Sequence, residues 1–358
     1  MTMKKRYIAA IFLIALGLIA YSQRGVIALQ ILPRAIESAM STNALRDLGD
    51  GLHITLCGAG GPLPDPRRSG ACVAVIAGEK MFIVDAGTNG LRNLNRLRYN
   101  TGNIAAVFLT HFHSDHIDGL GELATIRWVG GNHKEPLPVY GPDGVTDIVN
   151  GFNKSYSQDS VYRNDHHSDR VAPLSGHGMV ALSFAVPPAG TSTIVYEQEG
   201  MKVEMISVGH FPVVPAVGYL FSYQGRTALI SGDTVKSANI EKFAKGIDLL
   251  VHEALSPTLV GIMNKAAQKT GNESMAKITH DILDYHASPV EAAETARAAE
   301  VGHLLYYHIV PPLIVPGMEA VWLEGVDDVF KDFTLGVDGT TFSLPPNSKE
   351  ILKVRSEI

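Results

Sequence analysis

The chain has 358 residues, 46% of them hydrophobic and 18% charged, with a formal net charge of −6. That composition fits a folded globular protein with one large core or two modest ones, and excludes a disordered chain. The acidic balance also speaks against a protein built to ride a nucleic-acid backbone, leaving Arg67-Arg68 as either a local phosphate-facing patch or a solvated turn.

The N-terminus reads as a targeting segment. A basic head, Lys4-Lys5-Arg6, precedes an apolar stretch over residues 7–21, and Ala20 and Ser22 are small residues at the −3 and −1 positions of a cut after Ser22. Residues 1–22 are therefore expected to be a signal peptide or an uncleaved membrane anchor, short for a full span. A basic head first sends the remainder out of the cytoplasm, so a periplasmic or secreted protein is expected, with membrane contact only through this segment. Residues 23–50 read as a linker. Within it Val26 to Met40 carries apolar residues at helical spacing, suited to a linker helix or one lying on a membrane surface. Residues 51–346 form the main domain and 347–358 a C-terminal tail.

Within the main domain, Leu52–Cys57, Ala71–Ala77 and Lys80–Asp85 are expected strands. The loop 58–66 is dense in turn residues but lacks the Gly-Lys-Ser/Thr that closes a phosphate-cradling loop. Cys57 and Cys72 sit on neighbouring strands, either paired, as an exported compartment permits, or as two buried thiols. Leu91, Leu94 and Leu97 mark a helix. The strand Ile104–Leu109 then runs into His111-Phe112-His113-Ser114-Asp115-His116, three histidines and an aspartate within six residues. Imidazole and carboxylate at this spacing are ligands that zinc and related divalent metals prefer. One loop cannot turn all these donors onto one ion, so two adjacent metals are expected, with further ligands from later strands.

Helices are expected over Asp118–Val129 and Val145–Phe152, with a strand at 138–140 between them. Residues 153–189 show no strong period and read as a long irregular stretch, in which His166, His167 and His177 are solvated residues rather than ligands. Strands dominate from Thr191 to Ser231. Val203–Val208 leads into Gly209-His210, and Thr227–Ser231 into Gly232-Asp233. Leu249–Val251 leads into His252-Glu253, and His303–His308 ends on a histidine. A helical insert over 257–285 is either a substrate-facing lid or a packed surface element. Ser288, Pro289 and Glu291 are the cap, first residue and capping-box partner of a helix over 289–300, which fixes His286 just ahead of it. A helical run over 318–330 and two strands close the domain. Alternating strands and helices with clustered ligands between them imply a layered α/β fold.

With His111, His113, Asp115, His116, His210, Asp233 and His308 in this order, the chain resembles the metallo-β-lactamase superfamily of binuclear metallohydrolases. The resemblance implies an αββα sandwich of two mixed sheets face to face with helices outside. It assigns His111, His113 and His210 to one metal, Asp115, His116 and His308 to a second, and Asp233 to both. Asp85 is similar to an aspartate that braces the metal loop, or is a plain strand-end residue. His252-Glu253, His286 and the helix after it resemble ribonuclease Z and its phosphodiesterase and arylsulfatase-like relatives, where the histidine matched by His286 assists the leaving group. The polar ending of the nuclease pattern is replaced by Ile309-Val310-Pro311-Pro312. A small-molecule ester is therefore the expected substrate, and nucleic acid the less favoured one.

The expected chemistry is hydrolysis of phosphate or sulfate esters by metal-activated hydroxide, with two divalent ions, zinc before manganese or iron, polarising the ester. Asp115 would orient the nucleophile, His286 act as general acid, and Glu253 orient His286 or serve as a salt-bridge partner. The alternatives are a lactonase-type carboxyl ester hydrolase and a catalytically inactive metal-binding module. A di-iron oxygen-reducing protein is disfavoured, since that branch carries a glutamate at the position of His113 and a flavin-bearing partner domain.

Overall fold

A computed structural model describes residues 3–358; Met1 and Thr2, and the side chains of Met3, Lys4 and Arg6, lie outside the described residues. The chain divides into two compact units, residues 1–43 and 44–358. In the first, α1 (Met3–Ser22) and α2 (Arg24–Ser41) are helices whose described side chains are exposed. Among the described residues no single helix is long and apolar enough to cross a membrane; the two pass that test only as a pair bent by 66°.

The second unit begins before the expected boundary. Leu45 is buried in the core and the Ala44 amide donates to Arg98 O at 3.0 Å. Its first sheet contains β1 (Leu52–Gly58), β2 (Cys72–Ala77), β3 (Lys80–Val84), β4 (Ile104–Phe108), β5 (Leu137–Pro142) and β6 (Met179–Phe184). The second contains β7 (Ser192–Gln198), β8 (Met201–Ser207), β9 (Val217–Tyr223), β10 (Arg226–Ile230), β11 (Leu249–Leu255), β12 (His303–Val310) and β13 (Phe333–Leu335). The chain then returns to the first sheet as β14 (Thr341–Leu344) and β15 (Leu352–Arg355), giving the order β15-β14-β1-β2-β3-β4-β5-β6 against β13-β12-β11-β10-β9-β8-β7. The segment 347–358, expected as a tail, thus supplies an edge strand, with Phe342 opposite Lys353.

The sheets pack face to face. Phe82 and Phe108 from the first meet Tyr219 and Phe221 from the second, with Phe108 and Phe221 ring centroids 5.5 Å apart. Burial of each such ring contributes about 1.5–3 kcal/mol. Outside the first sheet lie α3 (Gly90–Arg96), α4 (Ser114–Ile117), α5 (Leu120–Gly131) and α6 (Val145–His167). Outside the second lie α7 (Ala238–Phe243), α8 (Pro257–Lys269), α9 (Glu273–Asp281), α10 (Pro289–Ala298), α11 (Met318–Trp322) and α12 (Val326–Val329). Their apolar faces form separate cores, around Leu94, Leu120 and Leu123 on one side and Ala292, Ala296 and Trp322 on the other. This is the αββα sandwich. Strands buried on both faces read as continuous apolar runs, which is why β2 is plain in the sequence, while β1 and β11, equally buried, interrupt theirs with His53 and Thr55 and with His252 and Glu253.

Two elements depart from expectation. The helix expected to stop at Phe152 continues to His167, and the stretch taken as irregular also contains β6. In α6 only Val145, Val149 and Ser160 are buried, so the 23-residue helix has too narrow an apolar stripe to announce itself. β6 is an edge strand with mixed burial and lacks clean alternation. Cys57 and Cys72, left open between two states, are joined in a disulfide across the turn-rich loop between β1 and β2.

Candidate metal centre

The chemistry-bearing residues collect where parallel strands end. β3 and β4 run parallel in one sheet, and β10, β11 and β12 in the other. The two sheets are fastened at this edge: Val217 N donates to Thr110 O at 3.0 Å, Tyr219 Oη to Leu109 O at 2.7 Å, and Ile309 N to Ala59 O at 2.9 Å. His111 follows β4, His210 follows β8 and Asp233 follows β10. Asp115 and His116 lie on the short helix α4. That helix sits so close to the turn after β3 that a Cβ on Gly87 would lie 2.3 Å from Asp115 O, so only glycine fits there. His308 is the extra residue in a bulge of β12. Glu253 pairs with Tyr307 and Ala254 with Ile309, and His308 between them takes φ 45°, which turns its ring out of the ladder.

Asp233 Oδ2 is the centre of the cluster. It lies 3.4 Å from His116 Nε2, 3.5 Å from His308 Nε2, 3.7 Å from His111 Nε2 and 3.9 Å from His210 Nε2. His308 Nε2 is also 3.2 Å from Asp115 Oδ2. Donor atoms of His111, His113, His210 and Asp233 lie within 4.8 Å of one another, as do those of Asp115, His116 and His308. Asp233, His286 and His308 form a third such group.

Neighbours hold the rings in one tautomer. His116 Nδ1 donates to Asp85 Oδ2 at 2.8 Å, and His210 Nδ1 to Tyr285 O at 2.8 Å. The Thr110 hydroxyl donates to Asp85 Oδ2 and receives His111 Nδ1–H at 3.0 Å. Each Nε2 is thereby left as a lone-pair donor aimed inward, the second-layer arrangement that metal-ligating histidines require. His111, His116 and His210 Nε2, with Asp233 Oδ1, are buried and have no hydrogen-bond partner among the described residues. Unsatisfied buried atoms cost about 1–3 kcal/mol each, so this many in one spot fits a pair of divalent cations and nothing in the chain alone.

The electrostatics agree. Burial, reinforced by neighbouring imidazoles, pulls His111 well below the ordinary 6.5, and burial also lowers His113 and His210, which keeps the rings neutral for ligation. Burial opposes ionisation of Asp233, but His308 and His116 overcome it and hold the carboxyl well below its usual range. His116 differs: burial disfavours its charged form, yet Asp233 and Asp85 outweigh it and raise its pKa, so a cation would bind Nε2 by displacing a proton. Beside the cluster, His286 Nδ1 lies 2.9 Å from Glu253 Oε1. Burial lowers the imidazolium's pKa, but the Glu253 carboxylate dominates and holds His286 at about 9. The same Oε1 accepts the amides of Thr234 at 3.1 Å and Ala287 at 3.3 Å, tying the Asp233 loop to the His286 loop.

Every metal- and catalysis-related residue read from the sequence thus lies at one edge. Thr110, Tyr285 and the Thr234 and Ala287 amides were not anticipated; three of these act through backbone atoms, which leave no side-chain signal. Arg67-Arg68 is not a free phosphate patch. Arg68 is 2% exposed, donates to Gly336 O and pairs with Asp65 and Glu319, and Arg67 pairs with Glu319 at 3.3 Å. His166 and His167 are exposed at the end of α6, and His177 packs edge-on to Trp128.

Residues 80–309 match the Beta-lactamase superfamily domain. The chain is 34% identical over 277 residues to ribonuclease Z of Mycolicibacterium gilvum (strain PYR-GCK), covering 76% of this chain and 88% of the relative. It is 34% identical over 273 residues to ribonuclease Z of Mycobacterium bovis (strain BCG / Pasteur 1173P2), covering 76% and 90%. Among solved structures, human tRNase Z, short form, shares the fold with a TM-score of 0.58 at 21% identity, covering 82% of this chain and 99% of that one. Fold and site together define a member of the metallo-β-lactamase superfamily with a binuclear His/Asp centre. Within that superfamily the chain belongs to the ribonuclease Z-like branch and is a metal-dependent phosphodiester hydrolase.

Proposed function

We propose that the chain hydrolyses small phosphodiesters at a two-zinc centre outside the cytoplasm. His111, His113 and His210 would hold one ion and Asp115, His116 and His308 the other, with Asp233 shared. The observation that carries this reading is Asp233 Oδ2 within 3.9 Å of four imidazole nitrogens, three of which have no other partner among the described residues. Two bound cations supply Lewis acidity towards phosphoryl oxygens and make a water molecule more acidic.

The chain's own residues do the rest. Asp115, partly exposed at the mouth, has a carboxylate oxygen available to orient the attacking water. His286 holds a proton beside the cluster. With Nδ1 occupied by Glu253, its Nε2 delivers that proton to the departing ester oxygen. Glu253 positions His286 and keeps it charged.

Small esters are favoured over RNA because the segment after His308 is apolar and Arg68 is engaged in ion pairs. The reading of RNA as substrate is favoured by the 34% identity to ribonucleases Z. Export is supported by the apolar helix α1 and by the Cys57–Cys72 disulfide, a bond typical of oxidising compartments. The test is a screen of purified protein, with metal analysis, against bis(p-nitrophenyl) phosphate, a phosphomonoester, an aryl sulfate, a lactone and a precursor tRNA. Diester turnover that tracks two bound metals is expected. Turnover of the lactone alone, or of nothing with both metals bound, would overturn it. Cell fractionation tests export, which full-length protein free in the cytoplasm would refute.

A further inference from the structure

The strip Gly61-Pro62-Leu63 has a different cavity on each side. On one side it lines a polar recess that includes Asp115 and Asp118. On the other it walls a separate cavity of about 220 Å³ whose remaining wall comes from α8, α9 and the segment after His308. The side chains of Leu63, Val260, Met263, Met275, Ile278 and Val310 face this second space. No charged side chain lines it among the described residues. The polar one that does, Thr279, spends its hydroxyl on Met275 O at 2.6 Å. The cavity is next to the metal centre: a Cβ on Gly61 would lie 3.2 Å from the His308 ring and 3.2 Å from Val310 Cγ2. A substrate held at the cluster therefore meets an apolar chamber one residue away.

We infer that this chamber seats one ester substituent of the substrate, a compact uncharged aryl or branched alkyl group, and so selects apolar phosphodiesters. The inference rests on the phosphodiesterase reading above. Three observations carry it. The chamber shares the Gly61–Leu63 strip with the recess that holds Asp115, and its wall at Gly61 lies against the His308 ring. Its volume exceeds the roughly 150 Å³ of an apolar cavity known to take up benzene, so it admits one substituted ring. Its lining offers neither a cation for a phosphate nor a free donor for the edge of a nucleobase or sugar, groups that would lose their hydration there without replacement. Two methionines add adaptable, polarizable contacts suited to ring edges. The insert between Glu253 and His286 thus reads as a specificity element, since α8 and α9 supply four of the six named side chains.

The test uses the full, metal-loaded chain and two non-hydrolysed probes, phenylphosphonate and methylphosphonate, titrated by calorimetry. Phenylphosphonate is expected to bind at least tenfold tighter, with the more negative heat-capacity change that marks apolar burial. Ile278, half-exposed at the mouth, tolerates change without unfolding the core. Ile278→Glu should shrink the phenyl-to-methyl ratio to under threefold, and Ile278→Leu should keep it. Equal affinities in the parent protein, or an unchanged ratio in Ile278→Glu, would overturn the inference. Turnover of bis(p-nitrophenyl) phosphate is measured alongside. Turnover without a phenyl preference removes the chamber's role alone. A phenyl preference without turnover supports the chamber while sinking the catalytic reading.

Discussion

The Glu253–His286 pair gives the sharpest perturbation. At 2.9 Å, two opposite charges attract by roughly 6 kcal/mol at an effective dielectric of about 20. Burial of both groups cancels part of this, and the balance leaves His286 at about 9 instead of 6.5, equivalent to about 3 kcal/mol. Glu253→Gln keeps the shape and an acceptor oxygen for His286 Nδ1 but removes the charge. Without that charge the burial of the imidazole remains, so its pKa falls to the ordinary 6.5 or below and it is at most roughly 3% protonated at pH 8, against about 90% with the carboxylate in place. The supply of general acid falls at least about thirtyfold. Since a general acid is needed in its protonated form, the alkaline limb of the rate profile should move down by at least about 2.5 pH units. Nearby cations lower both limbs, so the difference between variant and parent is the quantity to read. Diesters with alkoxide leaving groups should lose at least about thirtyfold in kcat/KM at pH 8, while p-nitrophenolate, which departs without a proton, should lose under about threefold. Metal content is measured on the same samples, because Glu253 also accepts the Thr234 amide beside Asp233. An equal loss for both leaving groups with metals retained would refute the general-acid assignment.

Other changes probe the rest of the edge. Asp233→Asn should drop bound metal from two per chain to one or fewer by elemental analysis, since its Oδ2 is the shared centre of four imidazoles; full occupancy would remove it from the ligand set. Asp85→Asn takes the charged partner from His116 Nδ1 and Thr110 and should weaken metal binding about 10–100-fold in competition with a chelator, while an unchanged affinity would make Asp85 a plain turn residue. Replacing Cys57 and Cys72 together by serine opens a loop of sequence separation 15 and should cost about 3 kcal/mol in urea unfolding of the main domain, with an unshifted midpoint counting against the bond.

What was legible in the sequence, and what was not, follows from where the information sits. Metal chemistry restricts residue type, and a strand that ends in a loop restricts place, so His111, His116, His210, Asp233 and His308 could be read as one set although His111 and His308 lie far apart in the chain. The capping box at Ser288 and Glu291 is equally local, and the structure forms both of its hydrogen bonds. By contrast, α6 is held by a narrow stripe and β6 by one neighbour, so neither leaves a period strong enough to stand above its polar surroundings. The second layer is fainter still. Thr110 looks like a strand-end residue until its hydroxyl is seen joining His111 to Asp85, and Tyr285 contributes a carbonyl that any residue would have. The backbone also carries strain that composition hides. Asp85 at φ 57° and His308 at φ 45° both adopt the left-handed region at the heart of the cluster. Both are held there by packing: Asp85 N donates to Phe108 O, and the neighbours of His308 stay paired across its bulge. Strain of this kind, together with buried ring nitrogens that nothing in the chain satisfies, stabilises no fold by itself. It persists because the rest of the sandwich outweighs it and because cations bound there would discharge the unmet polar demand. The same reasoning explains why the edge, and not the larger cavities elsewhere on the surface, is where the chemistry belongs: there three inward-facing imidazole nitrogens and a carboxylate oxygen are held together out of water with no partner among the described residues.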